Sequence, residues 1–205
     1  IVIGASETLE FFGCELAIAP GVEIKIEQDG VLNIGTHIIS SPAETLKTNI
    51  FSCDEMWQGI IVEDGGILNI NGFIATTGLR NCKISDAVAA IYCPGNSSGT
   101  DVPTLTLIAV DFSNNLISIG AENVDLGIAD IVGCNFNATS GMLTKIPHDG
   151  VYPQNHIKLE NVSEFLIGTG TSINLLNEFS GVQMGIFAKE SSLIVNGSVF
   201  DNLIN

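Results

Sequence analysis

The sequence predicts an all-β solenoid, a chain wound into stacked coils of short strands, and three observations predict it. The first is a direct repeat. Ile24-Lys-Ile-Glu-Gln-Asp-Gly-Val-Leu-Asn-Ile34 lines up, 36 residues on, with Ile60-Ile-Val-Glu-Asp-Gly-Gly-Ile-Leu-Asn-Ile70. The second is an apolar position followed by small polar residues, at Phe112, Phe136, Phe179 and Phe200, with separations of 24, 43 and 21 residues. The third is composition: 22 Gly among 205 residues, many β-branched side chains, and no apolar face sustained at helical spacing.

Taken along the chain, Ile24/Ile26 and Leu32/Ile34 alternate with polar neighbours, as strands with one dry face require. Ser40–Asn49 breaks the alternation with polar residues and a proline, so it reads as a first insertion. The second copy runs through Ile60–Ile70, with Glu63 expected to stack beside Glu27 and Leu68 beside Leu32. Ile84-Ser-Asp resembles an early copy of the Phe element. Pro94–Pro103 is a second insertion and Lys145–His156 a third. The 43-residue gap from Phe136 to Phe179 is close to two coils of about 21 or 22 residues. Near the end, Gly185–Gly197 repeats the two-strand shape, Leu193, Val195, Asn196 and Gly197 answering to Leu68, Ile70, Asn71 and Gly72.

Glycine and asparagine at fixed offsets permit the left-handed backbone of sharp corners, and asparagines at equivalent corners can form hydrogen-bonded ladders. A single coil has too little apolar surface to stand alone and must stack on its neighbours. An antiparallel sandwich would need tight hairpins, yet Asn-Gly occurs only at Asn71 and Asn196. About seven or eight coils follow, a rod on the order of 35–40 Å long. Residues 1–205 form one domain. Ile1 opens in mid-alternation and Asn205 closes a strand-like run, as in a segment of a longer protein.

Composition narrows the function. Seven Lys+Arg face 23 Asp+Glu, a net charge of −16, so Arg80 and six lysines offer little to phosphates and no nucleic-acid partner is expected. No apolar stretch reaches the roughly 18–20 residues of a membrane span, and no membrane insertion is expected. The five cysteines show no CxxC pair or zinc spacing and read mostly as buried thiols. In an oxidising compartment, Cys82 with Cys93 is the favoured disulfide.

Ala19-Pro-Gly-Val-Glu-Ile-Lys-Ile-Glu-Gln-Asp-Gly-Val-Leu-Asn-Ile, followed by Met56-Trp-Gln-Gly-Ile-Ile-Val, resembles the coils of right-handed parallel β-helix repeat proteins of the pectate-lyase-like superfamily. More narrowly, it is similar to β-helix regions of Bacteroidetes surface proteins. The resemblance implies a right-handed parallel β-helix, export (commonly by type IX secretion), and an extracellular or cell-surface location.

Many such relatives cleave polysaccharides, but the chain has no Arg cluster for a lyase and none of the polygalacturonase-like signatures. Glu27, Glu63 and Asp64 are the candidate carboxylates for a calcium ion or an acid–base couple, weighed against solvated carboxylates on an outer face. Asp54-Glu55 is similarly ambiguous. Trp57 could stack on a sugar or pack against the next coil, and Tyr152 with His148 in the third insertion is the other ligand candidate. His37, His148 and His156 have no ligand spacing. Asn96, Asn137, Asn161 and Asn196 head Asn-x-Ser/Thr triplets and read as corner or ladder asparagines. The expectation is a non-catalytic structural or adhesive module without a cofactor, calcium apart, contacting glycans, surface proteins or its own copies through the solenoid ends. The alternatives are a carbohydrate-active or carbohydrate-binding β-helix and a self-assembling filament subunit.

Overall fold

A computed structural model describes residues 1–38, 45–74, 80–95, 101–126, 128–139, 141–153, 155–168, 176–201 and 203. Short alternating segments become strands, and the strands fall into coils of three. The first coil is β1 (Val2–Ile3), β2 (Thr8–Phe12) and β3 (Glu15–Ile18). The second is β4 (Glu23–Ile26) and β5 (Val31–Gly35), a side excursion through β6 (His37–Ile38) and β7 (Thr45–Leu46), then β8 (Thr48–Ser52). β9 (Gly59–Val62), β10 (Ile67–Asn71) and β11 (Cys82–Ser85) make the third. β12 (Ala89–Pro94), β13 (Thr104–Ile108) and β14 (Val110–Ser113) make the fourth. β15 (Ile117–Glu122), β16 (Ile128–Val132) and β17 (Asn135–Asn137) follow. β18 (Asn155–Glu160), β19 (Phe165–Ile167) and β20 (Asn177–Ser180) form the sixth coil. The seventh is β21 (Met184–Lys189), β22 (Leu193–Val195) and β23 (Ser198–Phe200).

Equivalent strands stack into three seven-stranded sheets: the first holds β1, β4, β9, β12, β15, β18 and β21, the second runs from β2 to β22, the third from β3 to β23. Pairing within each is parallel, while β6–β7, outside the stack, pairs antiparallel. This is a parallel β-helix of seven coils. Crossovers joining parallel strands of one sheet wind right-handed.

Register turns the repeat into ladders. In the first sheet Ile24, Ile60, Ile91, Ile119, Ile157 and Ile186 lie in one column. Leu9, Leu32, Leu68 and Leu105 lie in another, in the second sheet. The third sheet aligns Leu16, Ile50, Ile84, Phe112, Phe136, Phe179 and Phe200. The four phenylalanine rings stack at centroid distances of 5.1, 4.6 and 4.7 Å. Each inward Ile or Leu of the middle coils is fully buried and contributes about 1.5–3 kcal/mol.

Corners are closed by polar side chains. Asp29, Asp86, Asn114, Asn123 and Asn161 adopt positive φ between 50° and 61°, where short polar residues are tolerated. Two buried asparagines point inward and clamp the preceding coil. Asn115 Oδ1 accepts the Ala87 N–H at 2.9 Å and its Nδ2 donates to the Ile84 carbonyl at 3.1 Å. Asn177 repeats the arrangement with the Cys134 N–H (2.9 Å) and the Ile131 carbonyl (3.0 Å). Each satisfies two backbone groups that would otherwise be buried without partners.

Four expectations change. Phe136 and Phe179 are direct neighbours in the stack, so their 43-residue separation is one coil with a long insertion rather than two coils. Of the first insertion, Thr45–Leu46 and Thr48–Asn49 are strand, while residues 39–44 lie outside the described residues. In the third, Asn155 and His156 already belong to β18. The second lies between β12 and β13 as expected, with residues 96–100 outside the described residues. Cys82 and Cys93 are both free thiols, one in the third sheet and one in the first.

Candidate functional site

The stacked carboxylates come together where the repeat puts them, at the corner following β4 and β9. Glu63 N–H donates to the Ile26 carbonyl, which sets Glu27 and Glu63 side by side on successive coils. Between them stands Lys25, its Nζ 2.8 Å from Glu63 Oε1 and 3.5 Å from Glu27 Oε1. The hydrogen bond that Lys25 donates to Glu63 is the main cause holding its ammonium above the ordinary pKa. The place that a calcium ion would take between these two carboxylates is thus held by an ammonium group, and Asp64 follows on the turn. The same solution recurs three coils on: Lys158 Nζ lies 3.0 Å from Glu160 and 3.8 Å from Glu122. Among the described residues, no three His, Cys, Asp or Glu side chains converge on a point that could hold a metal ion.

Trp57 is fully buried, its indole N–H donating to the Ser85 carbonyl at 2.9 Å, so it presents no ring face to a sugar. It packs against the following coil, where Val88 N–H donates back to its carbonyl at 2.8 Å. Its neighbour Met56 is held by the segment between β17 and β18, which forms a strap running back along the corner between the third and first sheets. Thr139 N–H donates to Asn114 Oδ1 at the strap's start. Farther on, Met56 N–H donates to the Ile146 carbonyl at 2.8 Å, and Lys145 pairs with Asp86 at 3.1 Å and donates to the Ser52 carbonyl. The strap therefore leaves the fifth coil and ties down the second, third and fourth. Tyr152 is exposed on it and His148 half-buried, with Val151 N–H donating to the His148 carbonyl, so both ligand candidates share one turn of the strap.

Three thiols and one imidazole are quenched by burial. Desolvation pushes the Cys82, Cys93 and Cys134 thiols up to about 12. His156 is brought down to about 4 by burial, partly offset by its Nε2 contact of 2.8 Å with the Ser180 carbonyl. These are ring and thiol groups packed as core.

A concave surface lies elsewhere, at the corner between the first and second sheets in coils five to seven. Asn123, Asp125, Asn161, Ser163, Glu190 and Ser192 wall a cleft of about 350 Å³ over Val124 and Val162. Asn161 Nδ2 donates to Asn123 Oδ1 at 3.0 Å and Ser163 Oγ donates to Asp125 Oδ1 at 2.6 Å, so adjacent rungs are tied across the stack. This cleft was legible in a second direct repeat, Glu122-Asn-Val-Asp against Glu160-Asn-Val-Ser, 38 residues apart, in step with Ile119 and Ile157. Amides, hydroxyls and carboxylates over an apolar floor can hydrogen-bond a polyhydroxylated or amide-bearing ligand, and the carboxylates disfavour an anionic one.

Compared with protein-family models, with curated proteins and with solved structures, the chain matches none.

Proposed function

We propose that this chain is a structural and adhesive rod, a β-helix module of an exported bacterial surface protein of the pectate-lyase-like kind, whose corners make the contacts while its coils supply stiffness. The observation that carries the reading is the continuity of the internal ladders. Apolar columns run unbroken through the stack, and the outward carboxylates at Glu27/Glu63 and Glu122/Glu160 are tied to lysines in cross-coil braces. Outer amides extend the bracing, Asn69 Nδ2 donating to Asn33 Oδ1 at 3.0 Å and Asn135 Nδ2 to Asp111 Oδ1 at 2.9 Å. Repeats joined in this way gain stability from each neighbour, which suits a load-bearing spacer. The polar cleft at Asn123 and Asn161 offers a surface for a glycan or a surface protein, and export by type IX secretion completes the reading.

The test is a polysaccharide panel, neutral and acidic, incubated with the chain and calcium. The reading expects retention of glycan on immobilised protein, weakened by Asn161→Ala, without new reducing ends or unsaturated products. Turnover abolished by Glu63→Gln would establish a carbohydrate-active enzyme instead.

A further inference from the structure

The chain contains two Asn-Gly dipeptides at equivalent corners, Asn71-Gly72 after β10 and Asn196-Gly197 after β22, and the fold treats them differently. An asparagine followed by glycine loses its amide when the glycine nitrogen gives up its proton and attacks the asparagine Cγ. The new C–N bond closes a succinimide, ammonia leaves, and water opens the ring to aspartate or isoaspartate. The net change is amide plus water to acid plus ammonia, with no oxidant or cofactor. The attacking nitrogen must be unbonded and the glycine free to turn.

At the first site both conditions are withheld. Gly72 N–H donates to the Ile108 carbonyl of the next coil at 2.8 Å. Gly72 is also wedged against that coil, where an added Cβ would stand 2.3 Å from the Ala109 carbonyl oxygen. At the second site the nitrogen is unbonded and the glycine is uncrowded, held among the described residues through its carbonyl alone. Asn196 and Gly197 are exposed, and no acceptor among the described residues takes the Gly197 N–H. Gly197 has φ of 51°, and an added Cβ there would find only the tip of Leu176, at 3.8 Å.

We infer that Asn196 is a site of spontaneous succinimide formation and deamidation, whereas the same dipeptide at Asn71 is protected by the coil stacked upon it. The product changes the last turn. Gly197 carbonyl accepts the Asn177 N–H at 2.9 Å, and the corner leads into β23, whose Phe200 ends the ring stack. Opening to isoaspartate inserts one backbone carbon and adds a negative charge at this corner, loosening β23 from β20.

The experiment ages the purified 205-residue chain at mildly alkaline pH, native and in urea, and follows both sites by peptide mapping and isoaspartyl methyltransferase labelling. In the native chain Asn196 converts at least about tenfold faster than Asn71, the factor that a local opening of about 1.4 kcal/mol supplies. In urea the two convert at comparable rates. Asn196→Gln removes the native signal and leaves Asn71 intact. Equal native rates, faster loss at Asn71, or a native isoaspartyl signal that survives Asn196→Gln overturns the inference.

Discussion

Replacing Asn115 by alanine isolates what the inward asparagines do. The side chain is buried and serves two backbone groups at the preceding corner, the Ala87 N–H and the Ile84 carbonyl. Alanine leaves both without a partner in a space that the flanking coils close. Each orphaned buried group costs about 1–3 kcal/mol, so the variant loses about 2–6 kcal/mol. Against a total stability of about 5–15 kcal/mol this is a large fraction. Trp57, the single tryptophan, reports the event locally, because its N–H donates to the Asp86 carbonyl and its indole to Ser85. With a slope of about 2 kcal/mol/M, the urea midpoint read by Trp57 fluorescence falls by roughly 1–3 M. Asn69→Ala, which removes an outer ladder bond to Asn33 on a wetted face, serves as the control and moves the midpoint little. A loss of under about 1 kcal/mol in Asn115→Ala would show that the corner closes without its clamp, and would refute the reasoning.

Phe136→Ala opens a cavity in the middle of the ring stack and costs about 3–5 kcal/mol in urea unfolding, whereas Phe200→Ala, 44% exposed at the last rung, costs clearly less. His156 stays neutral in the folded chain down to about pH 4, while the unfolded chain takes up its proton near 6.5. Stability therefore falls as pH drops from 6.5 to 4, by about 3 kcal/mol from this group, and His156→Gln flattens that portion of a pH-resolved unfolding profile. Lys145→Met frees the strap from Asp86 and Ser52, so limited proteolysis cuts near Ile146 faster than in the parent chain. In the folded state a thiol reagent titrates the exposed Cys53 first, and Cys82, Cys93 and Cys134 react only on unfolding.

Much of the stack was legible because inward positions are constrained from both sides. Ile24 over Ile60, Leu32 over Leu68 and Asn33 over Asn69 read correctly, since a one-residue slip would turn every apolar side chain outward. Leu193 and Val195 fell into the predicted columns for the same reason, and Ile84 proved to be the copy of Phe112 that its context suggested. Corners are under no such constraint. Loop length adds closure entropy only slowly, so coils of very different length coexist and a fixed period misleads. That is why the 43 residues between Phe136 and Phe179 read as two coils when they hold one coil and a strap. The strap's partners, Lys145 with Asp86 and Ile146 with Met56, meet across the fold and leave no local signal in sequence. Trp57 was ambiguous for a related reason: an aromatic at a coil start can face either way, and only the position of Ser85 decides it. The cleft was missed although its Asn-Val repeat stood in the sequence, because 38 residues matched no period seen elsewhere.

Methyl–methyl contacts among selectively labelled leucines address the winding of the chain most directly. One-coil stacking places Leu9, Leu32, Leu68 and Leu105 in a single column, each touching only the next. The account predicts cross-peaks for Leu9–Leu32, Leu32–Leu68 and Leu68–Leu105 in a nuclear Overhauser spectrum. A missing Leu32–Leu68 contact, or a direct one between Leu32 and Leu105, would contradict it.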